Sequence, residues 1–131
     1  MTKTKFTIDR SKWRCGGADT GTNFRGKGPT SLLNADGFQC CLGQIASQCG
    51  YRPSALLGLN RPDEVLVNGG GRTRFPFLAK RTEGGAAVTA LAENAIELND
   101  TSRLTDEERE LRLVELFQRH GFTLIFEGDY V

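Results

Sequence analysis

No stretch of this 131-residue chain approaches the roughly 20 consecutive apolar positions of a membrane-spanning helix. Its start, Met1-Thr2-Lys3-Thr4-Lys5, also lacks the apolar core of a secretion signal. These absences argue against a helical membrane protein and lead us to expect a soluble protein of the cytoplasm, with no membrane partner. Histidine occurs only once, as His120. A zinc site would therefore have to combine it with Cys15, Cys40, Cys41 and Cys49, and adjacent cysteines lack the usual two-to-four-residue ligand spacing. No metal or other cofactor is expected. There is no strongly basic balance either: the formal net charge is +1. Gly26-Lys27-Gly28-Pro29-Thr30-Ser31 falls short of a phosphate loop, because Gly28-Pro29 separates the Gly-Lys pair from the hydroxyl residue.

In a reducing compartment the four cysteines stay as thiols. Cys41 and Cys49 would be about 12 Å apart on a helix, beyond disulfide reach. What the chain does have in excess is glycine, sixteen residues against an average share of about 7%. They cluster at 16–17, 26–28, 69–71 and 84–85 and imply long surface loops. Charge is divided along the chain. Residues 1–81 hold thirteen Lys and Arg against five acids, net +8, and residues 82–131 hold four Arg against eleven acids, net −7. The halves can complement each other in the fold or present a charged docking face.

The length fits one domain over 1–131. Lys5-Phe6-Thr7-Ile8-Asp9 alternates with period two and predicts a strand, followed by a helical turn over 9–13. Ser31-Leu32-Leu33 and Phe38-Gln39 flank the turn signal Asn34-Ala35-Asp36-Gly37 as a small hairpin. Cys41, Leu42, Ile45, Ala46 and Cys49 share one helical face, and Gly50 stops the helix. Pro53 can begin a short helix through Leu57. Residues 59–85 read as a long loop anchored by 65–67 and 75–78, with 68–74 its most mobile part. Residues 86–98 predict a helix ended by Asn99-Asp100. Thr105 with Glu108 forms a capping-box pattern ahead of another helix, which Gly121 ends. On that helix Glu108/Arg112 and Glu115/Arg119 are i,i+4 pairs, while Leu111, Leu113, Val114, Leu116 and Phe117 are expected to be buried. A last strand over 122–126 could pair with the first. The fold class is α+β: a small, mainly antiparallel sheet packed against about three helices, with long Gly-rich loops.

The most informative segment is Asp36-Gly37-Phe38-Gln39-Cys40-Cys41-Leu42-Gly43. Helical phase turns Cys40 outward and Cys41 and Cys49 inward, and unpaired N–H groups of the first turn would favour a Cys40 thiolate. With His120 as base, Cys40 would be a candidate catalytic nucleophile, the alternative to purely structural thiols. Candidate binding residues form two sets. Arg72 and Arg74 sit on the Gly69-Gly70-Gly71 loop and could engage an anion or an acidic partner. Arg10, Lys12, Trp13, Arg14, Arg25 and Lys27 interleave charge with a stacking aromatic, as nucleic-acid binders do, though no recognised reading motif accompanies them.

The segments Ile8-Asp9-Arg10-Ser11-Lys12-Trp13, Cys40-Cys41-Leu42-Gly43, Leu98-Asn99-Asp100 and Asp106-Glu107-Glu108-Arg109-Glu110, in that order, resemble a group of small proteins encoded by bacteriophages and prophages. The resemblance spans nearly the whole chain and supplies no catalytic residues. What it implies is a phage accessory protein in the host cytoplasm, inhibiting a host defence complex, such as a CRISPR effector, by direct binding to a protein or ribonucleoprotein. A thiol-dependent enzyme using Cys40 is the second reading, and a nucleic-acid or nucleotide-signal binder the third.

Overall fold

The computed structural model describes residues 4–15, 30–60, 90–101 and 103–130. The expected loops over 16–28 and 61–85, the strand-like 65–67 and the start of the helix at 86–89 lie outside them. The described elements run β1 (Lys5–Asp9), α1 (Cys41–Gln48), α2 (Pro53–Leu56), α3 (Ala90–Asp100), α4 (Asp106–Arg119) and β2 (Thr123–Glu127). The architecture is a small α+β fold, as the periodicities predict.

β1 and β2 pair, but in parallel, with Lys5 opposite Thr123 and Asp9 opposite Glu127. Among the described residues the sheet consists of these two strands and is therefore not antiparallel as expected. The physical reason is the route between them: the chain crosses through its helices before returning in the same direction, which a tight hairpin cannot do. The 31–39 hairpin also fails as a ladder. Its turn exists, with Gly37 N donating to Asn34 O at 3.1 Å and Gly37 at φ +89°. Its arms instead bridge elsewhere, Gln39 to Trp13 and Leu33 to Leu57, both in parallel sense.

Phe6 and Ile8 from β1, Leu124 from β2, Leu113, Leu116 and Phe117 from α4, and Leu42 and Ile45 from α1 are all buried in one core. Trp13 joins them, its ring 4.8 Å from that of Phe126. Helix α4 has the expected capping box: Thr105 Oγ1 accepts from Glu108 N and Thr105 N donates to Glu108 Oε1, both at 3.2 Å. Gly121, at φ +86°, ends the helix and lets Phe122 N reach Phe117 O at 2.9 Å. One expectation on this helix is corrected. Leu111 is exposed, whereas Arg109 is fully buried, because Arg109 donates to the carbonyls of Leu98 and Asn99 and so caps the C-terminal end of α3.

Candidate functional site

The Cys40–Gly43 segment is held from both sides. Asn34 Oδ1 accepts from Asp36 N at 3.0 Å and Phe38 N at 2.9 Å, closing the turn that aims the chain at α1. Cys40 N then donates to Ser31 O at 3.1 Å. Cys40 is the N-cap, extended at φ −71° and ψ 172°, with its Sγ accepting from Gly43 N at 3.4 Å. Gly43 is required by close approach: a Cβ there would lie 1.9 Å from Leu32 O. Cys41 N donates to Asn99 Oδ1 at 3.0 Å, and Trp13 Nε1 donates to the same oxygen at 2.7 Å. Asn99 Nδ2 in turn reaches Arg14 O at 3.1 Å. One amide thus ties α3 to the start of α1 and to the segment after β1.

This geometry bears out the burial expected for Cys41 and overturns the exposure expected for Cys40. Cys40 is only 5% exposed and Cys41 fully buried, while Cys49 is half-buried. The helical phase that turned Cys40 outward does not apply, since an N-cap residue has extended rather than helical dihedrals. Burial pushes the Cys40 thiol up to about 12, outweighing the hydrogen bond from Gly43, and nearby Asp100 adds to the rise. Burial likewise holds Cys41 and Cys15 well above the ordinary thiol range. This environment disfavours the thiolate form of all three. His120 is exposed at the C-cap of α4, where its backbone N–H donates to Phe117 O at 3.0 Å.

The first basic set is dispersed by the fold. Trp13 and Arg14 are fully buried and so cannot form a stacking, phosphate-binding surface. Arg14 donates to Trp13 O at 2.7 Å and covers the Phe38 ring at 3.6 Å from its centroid, with burial lowering its pKa. Arg10 forms a bidentate pair with Glu110, Nε to Oε2 at 2.8 Å and Nη2 to Oε1 at 2.7 Å, and donates to Gly128 O at 3.0 Å. Lys12 alone of these four is exposed. Arg25, Lys27, Arg72 and Arg74 lie outside the described residues.

A surface not singled out in the sequence stands out instead. Between α3 and α4 run two adjoining grooves of about 370 and 350 Å³, sharing Glu97, Leu98 and Arg112. Leu98, Leu104 and Leu116 line them together with Arg103, Arg112, Arg119, Glu97 and Glu115, and polar groups make up much of the lining. Among the described residues Arg10–Glu110 is the one ion pair in contact, so the expected Glu108/Arg112 and Glu115/Arg119 pairs are not closed. Arg112 acts on Glu108 only through space. The signal that could have located this surface is that the acidic half of the chain has just four arginines, and one of them, Arg109, is buried.

Among the described residues no group of three or more His, Cys, Asp or Glu could hold a metal ion, and no helix is long and apolar enough to cross a membrane. Comparison with protein-family models, with curated proteins and with solved structures finds no match.

Proposed function

We propose that this protein acts by binding rather than catalysis, docking on a host protein or ribonucleoprotein complex and inhibiting it, in the phage anti-defence setting that the resemblance implies, with a CRISPR effector as one such target. The observation that carries the reading is the α3–α4 groove, lined by leucines 98, 104 and 116 and by arginines 103, 112 and 119, which are outside any internal ion pair among the described residues. Arginine is enriched at protein-binding surfaces relative to the rest of a protein's exterior. The buried, proton-retaining Cys40 weighs against the thiol-enzyme alternative.

The test expresses the chain in bacteria carrying a defence complex and counts phage plaques, alongside capture of the complex on the tagged protein. Wild type should raise plaque counts and retain the complex in a fixed ratio. Arg103→Glu with Arg112→Glu and Arg119→Glu should weaken capture at least tenfold, about 1.4 kcal/mol, at unchanged folding. Capture that persists in the triple variant would discard the groove. Inhibition abolished by thiol alkylation of a folded protein would return the thiol-dependent reading. A steep salt dependence of binding to bare RNA or DNA would favour the nucleic-acid reading.

A further inference from the structure

The two helices that border the groove line it with the same spacing. On α3 the lining residues are Asn94, Glu97, Leu98 and Thr101, and on α4 they are Arg112, Glu115, Leu116 and Arg119. Both sets fall at i, i+3, i+4 and i+7, the single face that a helix turns toward a packed neighbour. Thr101 shares one groove with Arg112, and Asn94 shares the other with Arg119. The two faces therefore run antiparallel, each about 10.5 Å long. Leu98 is half-buried and Leu116 buried, whereas Asn94, Glu97, Arg112, Glu115 and Arg119 are exposed. Each helix gives one leucine to the deeper part of the trough, with polar and charged side chains above it. The charges are shared unevenly. Glu97 is the one charged lining residue on α3, while α4 sets two arginines a heptad apart around Glu115, and Arg103 follows the end of α3. None of these three arginines closes an ion pair among the described residues. Residues 82–131 hold four arginines, and all three that are exposed line this trough.

We propose that the trough receives an amphipathic helix of the partner protein, with an apolar seam over Leu98 and Leu116 and two carboxylates a heptad apart over Arg112 and Arg119. This rests on the groove being the binding surface and adds the chemistry of what it holds. The spacing selects a helix. A third helix laid along two antiparallel ones repeats their period, so two acids seven residues apart reach both arginines from one flank, as flanking charges do in coiled coils. An extended strand covers the same distance, about 10 Å, in three residues, and residues three apart point to opposite faces. It brings one acid to the arginines and turns the other away. Nucleic acid fits worse still. A phosphodiester strand is charged at every nucleotide, so part of its charge meets Glu97 and Glu115, whereas spaced carboxylates pass between them. Glu97 on the opposite rim also disfavours an occupant that is acidic all round, because like charges across an interface are costly. The partner helix is thus acidic on the flank over α4 and neutral or basic on the flank over α3.

The probe is a synthetic helical peptide with a leucine and alanine seam, glutamates seven residues apart on one flank and glutamine elsewhere, titrated into the nitrogen-15-labelled full chain. Its twin carries lysine in place of each glutamate. The acidic peptide should shift the amide resonances of 94–101 and 112–119 and bind at least tenfold more tightly than the twin. Arg112→Glu with Arg119→Glu should reverse that preference, and Arg112→Gln with Arg119→Gln should abolish it, each pair first checked for an unchanged thermal midpoint. The glutamine pair keeps the test decisive if the glutamates disturb α4. An acidic peptide that shifts neither segment up to about 1 mM, or that binds no better than its twin, would overturn the helical occupant. Single-stranded RNA that binds the trough more tightly than the acidic peptide would overturn it in favour of nucleic acid. Peptides that fail while capture of the defence complex is still lost on reversing arginines 103, 112 and 119 would overturn this inference and leave the groove as the binding surface. Capture that persists in that triple variant would overturn both.

Discussion

Asn99 lies one residue from the end of α3, yet its side chain decides how three segments meet. Its Oδ1 takes hydrogen bonds from the Trp13 indole and from Cys41 N in a buried setting. A buried donor stripped of its acceptor costs about 1–3 kcal/mol, so Asn99→Leu should destabilise by about 2–5 kcal/mol in urea unfolding. Trp13→Phe in that background should cost less than it does in wild type, since the stranded indole N–H is then gone; simple additivity would show that the two groups do not interact as described. Asn99 was legible in sequence only as a helix terminator. Nothing in a linear pattern says that an amide at a helix end faces inward, because this depends on which segments the fold brings within 3 Å. The same applies to Arg14 and Arg109, charged residues whose burial is made possible by carbonyls and a ring distant in sequence or hidden by the fold.

Elements were more legible than their arrangement. Both strands, the α4 capping box and the Gly121 stop follow from local chemistry, since alternation, an Thr-x-x-Glu pattern and a glycine at positive φ act over a few residues. Strand direction does not, because it is set by the path of the intervening chain. Nor does the edge of β1. Gln44 and Gln48 look like ordinary polar helix positions, yet their four-residue spacing, about 6 Å of helix rise, matches the two-residue spacing of Thr7 and Asp9 along a strand, about 6.6 Å. Replacing both by alanine removes the four hydrogen bonds that their amides make with the backbone of Thr7 and Asp9 at that edge. At about 1 kcal/mol each, Gln44→Ala with Gln48→Ala should cost about 2–4 kcal/mol. Hydrogen exchange should speed up at Thr7 and Asp9 ahead of Phe6 and Ile8, whose amides face β2. Equal acceleration at all four positions would mean the glutamines support the whole sheet rather than its edge.

At the scale of the whole molecule, the basic first half and acidic second half meet through Arg10 and Glu110, where Tyr130 also donates to the carboxylate. Burial alone would raise the Glu110 pKa, but the hydrogen bonds from Arg10 and Tyr130 outweigh it and hold the carboxyl below its ordinary value. A depressed carboxylate contributes stability that is fully present above the unfolded-state value near 4.5 and is lost as pH falls through the folded one. The pair is partly exposed, at 27% and 17%, so solvent limits the effect to about 1 kcal/mol. Glu110→Gln should remove that much at pH 7 and flatten the acid limb of a thermal-midpoint profile; an unchanged limb would exclude the pair as a link between the halves.

Cys40-Cys41-Leu42-Gly43 is the segment in which sequence and structure diverge most, and the choice between catalysis and binding turns on it. If it is a packed joint, the Cys40 thiol keeps its proton through neutrality, near the value of about 12 that burial gives it. The direct measurement is the pH dependence of iodoacetamide alkylation of the folded protein, followed residue by residue by mass spectrometry. Half-buried Cys49 should be labelled first, and Cys40 should react slowly, its rate still climbing past pH 10 with no plateau until the protein unfolds. Rapid labelling of Cys40 with a plateau below about pH 8, the signature of an activated thiolate, would contradict the account.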